Sequence, residues 1–307
     1  MDTVVLENIS KSYIKDAPPA LENVSFSVKK GELFGLIGPD GAGKSTIFRI
    51  LTTLLLADAG KATVAGYDVV KDFHQIRSCV GYMPGRFSLY QDLTVEENLN
   101  FFATLFGTTI AENYALIEDI YEQIAPFKNR RAGKLSGGMK QKLALSCALV
   151  HRPEVLFLDE PTTGVDAVSR QEFWDMLKRL KNEGITIVVS TPYMDEASLC
   201  ERIALIQTGH ILSIDTPDNI VAAYPGKLYA LRSPKVHLLL PDTRSYEGIR
   251  HCYAAGEKLH VAFKEDGKDH PAQLLTYLKS KGHQTVAIQE IRPDIEDCFI
   301  EKLSNPK

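Results

Sequence analysis

Gly38-Pro39-Asp40-Gly41-Ala42-Gly43-Lys44-Ser45-Thr46 has the GxxxxGK[ST] spacing of a loop that cradles phosphates. The loop follows the apolar run ELFGLI and opens a segment with Ile47, Ile50, Leu51 and Leu54 on one helical face. Strand, glycine turn and helix in that order aim backbone N–H groups at an anion, helped by the helix N-terminus. Lys44 supplies a point charge for the outer phosphates, and Ser45 a hydroxyl for Mg²⁺. Much later, Val155-Leu156-Phe157-Leu158 runs into Asp159-Glu160-Pro161. Four apolar residues predict a buried strand whose end presents Asp159 to Mg²⁺, through water, and Glu160 to an attacking water. Between the two lies Leu135-Ser136-Gly137-Gly138-Met139-Lys140-Gln141, opening a helix through LALSCALV. The Ser136 hydroxyl and the N–H groups of Gly137 and Gly138 form an anion site with no side chains in the way.

Positioning these groups takes an open α/β sheet. Leu33–Ile37, Val155–Leu158 and Ile185–Ser190 read as buried parallel strands, each followed by a polar loop and helical periodicity. Capping boxes predict helix starts at Thr94 with Glu97 and at Ser169 with Glu172. The second helix carries Phe173, Leu177 and Leu180 on one face and stops at Gly184. Residues 87–150 are mostly helical in pattern and form an inserted subdomain. After Tyr224-Pro225-Gly226 the texture changes. KLYALRS, EKLHVAFK and QTVAIQEI read as strands, PAQLLTYLKSKG and DIEDCFIEKL as short helices, so residues 225–307 are expected to form a small α+β appendix.

Composition removes several classes. The 307 residues are 44% hydrophobic and 24% charged, enough for a packed core and unlike a disordered chain. Lys and Arg total 35 against 39 Asp and Glu, a net charge of −4, which disfavours non-specific nucleic-acid binding. No apolar run is long enough to cross a membrane and MDTVVLENISKSY does not read as a signal peptide, so the chain is expected to be cytosolic. Cys79, Cys147, Cys200, Cys252 and Cys298 show no CxxC spacing and read as buried small hydrophobes. His237, His251, His260, His270 and His283 read as surface or partly buried positions rather than a metal site.

The order phosphate loop, Leu135-Ser136-Gly137-Gly138, then Asp159-Glu160 resembles the ATP-binding cassette family over roughly residues 3–224. The resemblance implies an α/β P-loop NTPase (RecA-like) core with an N-terminal antiparallel β subdomain and an inserted helical subdomain. It makes residues 1–224 the cassette, residues 225–307 an accessory domain, and the cofactors ATP and Mg²⁺. In that family two cassettes face each other, each ATP lying between one phosphate loop and the partner's serine-glycine signature. Carried onto this chain, Tyr13 resembles the aromatic that stacks on adenine, and Gly38 to Thr46 bind the phosphates. Ser45 and Asp159 hold Mg²⁺, Glu160 activates water with Lys44 beside it, and Ser136, Gly137 and Gly138 reach the partner's ATP. Thr163-Gly164-Val165-Asp166 resembles the loop that communicates between the two sites, and residues 87–134 the helices that touch the membrane partner. Met194-Asp195-Glu196-Ala197 and Pro293-Asp294-Ile295-Glu296-Asp297-Cys298-Phe299 are similar to segments of the multidrug and antibiotic exporter branch. The implied setting is the inner face of the cell membrane, with integral permease subunits as partners.

Two family residues are missing. Gly85 stands where a glutamine normally senses Mg²⁺ and the attacking water, and Gln91 lies six residues too far along to replace it. Pro192 stands where a histidine normally reaches the γ-phosphate, and offers neither side-chain donor nor N–H. One lost transition-state donor typically costs roughly 10²–10³ in rate, about 3–4 kcal/mol. The expectation is ATP binding with weakened turnover at this chain's own loop, in a heterodimer with a more competent cassette. A homodimer with slow turnover at both sites is the alternative. A ribosome- or DNA-directed cassette ATPase and a nucleotide-gated scaffold are further readings, and co-purifying partners would separate them.

Overall fold

Apolar runs that alternate with nothing must be buried on both faces, and they end up side by side in one sheet. The computed structural model describes residues 1–265, 267 and 269–304, and the chain divides into two compact units, Met1–Pro217 and Asp218–Lys307. Strands of the first unit are β1 (Asp2–Lys11), β2 (Leu21–Lys29), β3 (Leu33–Ile37), β4 (Ala59–Val64) and β5 (Tyr67–Asp68). They continue with β6 (Val80–Met83), β7 (Val155–Asp159), β8 (Thr186–Thr191), β9 (Arg202–Gln207) and β10 (His210–Asp215). Its helices are α1 (Lys44–Leu51), α2 (Phe73–Cys79), α3 (Val95–Leu105), α4 (Tyr114–Tyr121), α5 (Gly137–Leu149) and α6 (Ala167–Asn182).

The central sheet has the order β10-β9-β3-β8-β7-β6, parallel except for β10 on β9. Every residue of β3, β7 and β8 is buried. A separate antiparallel sheet has the order β2-β1-β4-β5, and β3 of the central sheet falls between β2 and β4 in the chain. The Phe26 and Phe34 rings stack at 5.4 Å, and Phe48 of α1 meets Phe157 of β7 at 5.7 Å. The second contact fixes the phosphate-loop helix against the strand that ends in the two carboxylates. This is the mixed sheet with a parallel core, antiparallel subdomain and helices that the P-loop NTPase reading requires.

Helices α3, α4 and α5 are inserted between β6 and β7. Thr94 and Glu97 form the capping box of α3: the Glu97 N–H donates to Thr94 Oγ1 at 3.1 Å, and the Thr94 N–H to Glu97 Oε2 at 2.8 Å. The second expected box is corrected. Helix α6 starts earlier, capped by Asp166, whose Oδ1 accepts from the N–H groups of Val168 (3.1 Å) and Ser169 (3.0 Å). Ser169 is thus inside the helix, and Glu172 pairs with Lys142 at 2.8 Å instead. Gly184, at φ 88°, does end α6. Leu54 is the other correction: α1 stops at Leu51 and Leu54 is exposed, while Ile47, Ile50 and Leu51 are fully buried.

The second unit contains α7 (Pro217–Ala222, straddling the division), β11 (Leu228–Arg232), α8 (Val236–Arg244), β12 (Ile249–Ala255), β13 (Lys258–Phe263), α9 (His270–Ser280), β14 (Ala287–Ile291) and α10 (Ile295–Ser304). The division falls at 217/218, seven residues before the texture change at 224/225, because α7 precedes Tyr224-Pro225-Gly226. An antiparallel sheet of order β12-β13-β11-β14 packs Leu231, Leu259 and Val261 against Leu239, Leu274 and Leu278 of α8 and α9. His260 is not a surface histidine: it is buried, with Nδ1 at 2.6 Å from Asp297 Oδ1 of α10. Cys147, Cys200, Cys252 and Cys298 are buried and Cys79 half-buried, all as free thiols. Burial pushes the Cys79 thiol up to about 11, and those of Cys252 and Cys298 to about 12. Among the described residues no helix is long and apolar enough to cross a membrane.

Candidate functional site

The phosphate loop runs from the end of β3 to the start of α1, and at two of its glycines the surrounding backbone leaves no room for a side chain. A Cβ on Gly38 would stand 2.2 Å from the Ile206 carbonyl oxygen of β9. Gly43 holds φ 107°, and a Cβ there would meet the Ala20 carbonyl oxygen at 2.7 Å. Gly43 is also the N-cap of α1, and no side chain caps that helix. The first-turn N–H groups therefore remain open to an external anion.

Lys44 is 3% exposed, its ammonium donating two hydrogen bonds to loop carbonyls and pairing with one carboxylate. Its Nζ lies 2.7 Å from the Gly38 carbonyl oxygen, 2.9 Å from that of Pro39 and 3.1 Å from Glu160 Oε1. The loop and the strand-end carboxylate thus meet at one cation. A cationic group, uncapped helix amides, the Ser45 hydroxyl and the Asp159 carboxylate are the donor set a Mg²⁺–nucleoside triphosphate needs, so these residues fit it. Tyr13, half exposed, reaches the same helix through its hydroxyl, 3.1 Å from Thr46 Oγ1.

Register explains how Asp159 and Glu160 are held. Asp159 on β7 pairs with Ser190 on β8. The Ser190 hydroxyl donates to Asp159 Oδ1 at 2.7 Å, while the Glu160 N–H donates to Ser190 Oγ at 3.0 Å and to the Ser190 carbonyl at 3.1 Å. Glu160 needs this clamp, because its backbone sits in the left-handed region at φ 51°. That conformation costs a non-glycine residue about 1–2 kcal/mol. Ser190 is a site residue that motif reading passed over. Its signal was a hydroxyl residue at the end of the apolar run Ile187-Val188-Val189.

Glu196, which the sequence marks only within the Met194–Ala197 resemblance, holds the site together as well. Only 2% exposed, it takes hydrogen bonds from the hydroxyls of Thr162 and Thr191, the first at 2.8 Å, with Arg170 Nε at 3.7 Å. It ties the segment after Glu160 to the end of β8. No spacing in the sequence marks it.

The two departures fall at this same place. A Cβ on Gly85 would stand 3.1 Å from the Asp159 carbonyl oxygen and 3.8 Å from Asp159 Oδ2. A side chain at position 85 would therefore lie over the carboxylate, and there is none. Pro192 directly follows the last residue of β8. Gln91 is exposed, and its carbonyl accepts the Gly133 N–H at 2.9 Å in the helical insertion.

Ser136 caps α5, its hydroxyl accepting the Met139 N–H at 3.4 Å. Positions corresponding to Cβ on Gly137 and Gly138 lie 3.7 Å from the Gly164 carbonyl and 3.3 Å from Ser169 Oγ. The signature thus borders the loop and helix that follow Glu160. It is not part of the Lys44–Glu160 cluster.

Residues 21–163 match the family described as ABC transporter. A probable multidrug ABC transporter ATP-binding protein of Escherichia coli K12 is 36% identical over 98% of this chain. The chain spans 52% of that relative's length. A Nod factor export ATP-binding protein I of Rhizobium etli is 36% identical over 98% of this chain and 93% of its own. Among solved structures, the dimeric post-hydrolysis state of the ATP-binding cassette MJ0796, bound to ADP and Pi, superposes with a TM-score of 0.63. It is 26% identical and covers 69% of this chain and 98% of the cassette. With the phosphate loop, the clamped Asp159–Glu160 end and a signature helix in one unit, and with 98% of this chain matched by each of those two relatives, the chain belongs to the ABC transporter family as an ATP-binding cassette.

Proposed function

We propose that this chain is the Mg²⁺-dependent ATP-hydrolysing subunit of a membrane exporter and the weaker half of a cassette heterodimer. One observation carries the reading: a complete phosphate-binding set meets Glu160 beside a position 85 that has no side chain. Gly38 to Thr46 bind the phosphates, with Tyr13 against the base. Ser45 and Asp159 would hold Mg²⁺, which neutralises charge on the outer phosphates. The Lys44–Glu160 pair gives the loop a resting state. Phosphate oxygens compete for Lys44, and Glu160 is then free to polarise water while Ser190 keeps its backbone in place. Without the glutamine and histidine donors that Gly85 and Pro192 replace, turnover at this loop is slow. Ser136, Gly137 and Gly138 serve the partner cassette's ATP.

Residues 1–224 act as the cassette and 225–307 as an accessory domain. The relatives named for multidrug and Nod factor export support export as the direction, with integral permease subunits as partners at the inner face of the cell membrane. No nucleic-acid role is proposed. A homodimer with slow turnover at both sites is the second reading, favoured by the intact and clamped Glu160.

The test is steady-state ATP hydrolysis by the purified chain with Mg²⁺, beside Glu160→Gln, with nucleotide binding measured in parallel. Tight binding with turnover no higher than in Glu160→Gln is the expected result. Cooperative turnover abolished by Glu160→Gln would replace the heterodimer with the homodimer.

A further inference from the structure

The second unit carries an open cavity of about 1190 Å³ at one end of its sheet. Arg232 ends β11, Lys258 begins β13, and Lys279 lies in the last turn of α9; all three line this cavity, with His237 beside them. Arg232 and Lys258 are direct register partners across β11 and β13, so their side chains leave the sheet on the same face. Like charges placed directly opposite in an antiparallel pair destabilise the sheet.

The chain does not relieve that repulsion. Among the described residues, the side chains of Arg232, Lys258 and Lys279 make neither an ion pair nor a hydrogen bond. The acidic residue at the rim, Glu257, pairs with none of them. Elsewhere the same unit matches its charges: Lys227, just before the other end of β11, meets Glu290 of β14 at 2.7 Å, and Arg250 meets Glu301 at 3.2 Å. Among the described residues, three unmatched cations stand around one concavity against the single carboxylate of Glu257, a local excess of positive charge in a protein of net charge −4.

We propose that this cavity is a binding site for a phosphate-bearing anion, separate from the nucleotide site. Arg232 offers the planar fork that pairs two phosphate oxygens at once, and Lys258 and Lys279 add point charges. The backbone and side-chain groups of Ser233 and Thr285 line the same space and give hydrogen-bonding capacity for the remainder of the ligand. The volume exceeds what a lone phosphate fills, so the phosphate belongs to a larger molecule, a lipid headgroup or a free phosphorylated metabolite.

The test uses the full chain carrying Lys44→Ala, so that the phosphate loop does not mask the result. Inorganic pyrophosphate binding is titrated by calorimetry in one arm. In the other, co-sedimentation is measured with phosphatidylglycerol–phosphatidylcholine vesicles, pure phosphatidylcholine serving as reference. Arg232→Gln combined with Lys258→Gln should weaken binding at least ten-fold in one of the two arms, while the thermal midpoint stays the same or rises as the repulsion is removed. Loss in the pyrophosphate arm identifies a free phosphate ligand. Loss confined to the vesicle arm identifies a headgroup. Binding in both arms that is absent from the start, or unchanged in the double variant, overturns the site.

Discussion

The residues around Asp159 form one tightly connected polar cluster with a gap above its carboxylate. Ser190 clamps Asp159 and Glu160, Lys44 neutralises Glu160, and the space above Asp159 that a side chain at position 85 would fill belongs to a glycine. Gly85 does not need to be glycine for conformational reasons, since its φ is not in the left-handed region. The nearest obstacle to a Cβ is the Asp159 carbonyl at 3.1 Å, which calls for a shift of a few tenths of an ångström. Gly85→Gln together with Pro192→His should therefore be tolerated and should restore two donors to the site. Since each such donor typically contributes roughly 10²–10³ in rate, the double variant should raise turnover about ten-fold or more, with nucleotide affinity little changed. Steady-state hydrolysis and a binding titration check it. A double variant that binds ATP normally yet turns over no faster would show that these two positions do not limit the rate.

At the scale of elements, what could be read from sequence was what burial dictates. β3, β7 and β8 are covered on both faces, so their residues form uninterrupted apolar runs. α8 and β12 left no such trace. Pro241 lies within α8, and the sequence of β12, IRHCYAA, mixes cations with small residues. Helix α6 misled because two capping candidates compete. Asp166 wins by accepting two N–H groups, one of them from Ser169 itself. The Ser190 clamp was hidden for a different reason: the order β3-β8-β7 is not the order of the chain, and register alone brings residue 190 beside residue 159.

His151, just past α5, shows what an element contact can do to stability. Its ring stacks on Phe106 at 3.7 Å, and its Nε2 bonds the Val80 carbonyl at 3.0 Å, which makes Nε2 the protonated nitrogen. Nδ1 is buried with no hydrogen-bond partner among the described residues, and burial holds the histidine below its ordinary pKa of about 6.5. The unfolded chain consequently takes up a proton that the folded chain refuses. The stability from the neutral ring is fully present above about pH 6.5 and is lost as pH falls through the folded-state value. Denaturation midpoints measured from pH 7.5 down to 5 should fall more steeply for the parent than for His151→Phe, which keeps the stack. His251, also held low by burial, adds a slope of the same sign to both proteins and cancels in the comparison. Parallel slopes would mean that His151 titrates normally.

On the scale of the whole molecule, the decisive fact is that the signature serine and the Lys44–Glu160 cluster are different places. Ser136 caps α5, and the glycines after it border Gly164 and Ser169. If the chain works as the weaker half of a pair, its Glu160 and its Ser136 serve two different ATP molecules. Glu160 acts at a loop that is already slow, and Ser136 completes the site of the faster partner. The two substitutions must then rank in a definite order. Ser136→Ala would confuse function with loss of the helix cap, so Ser136→Asp is the better probe. Aspartate caps helices as well as serine does, so α5 should hold, but its charge would face the partner's γ-phosphate. Measured on the assembled pair with the permease, Ser136→Asp should remove most ATP hydrolysis, by ten-fold or more, whereas Glu160→Gln should leave more than half. In a homodimer each site needs both residues, and the two variants would fall together. The reverse ranking, with Glu160→Gln the more damaging, would make this chain's own loop the main engine and end the heterodimer proposal.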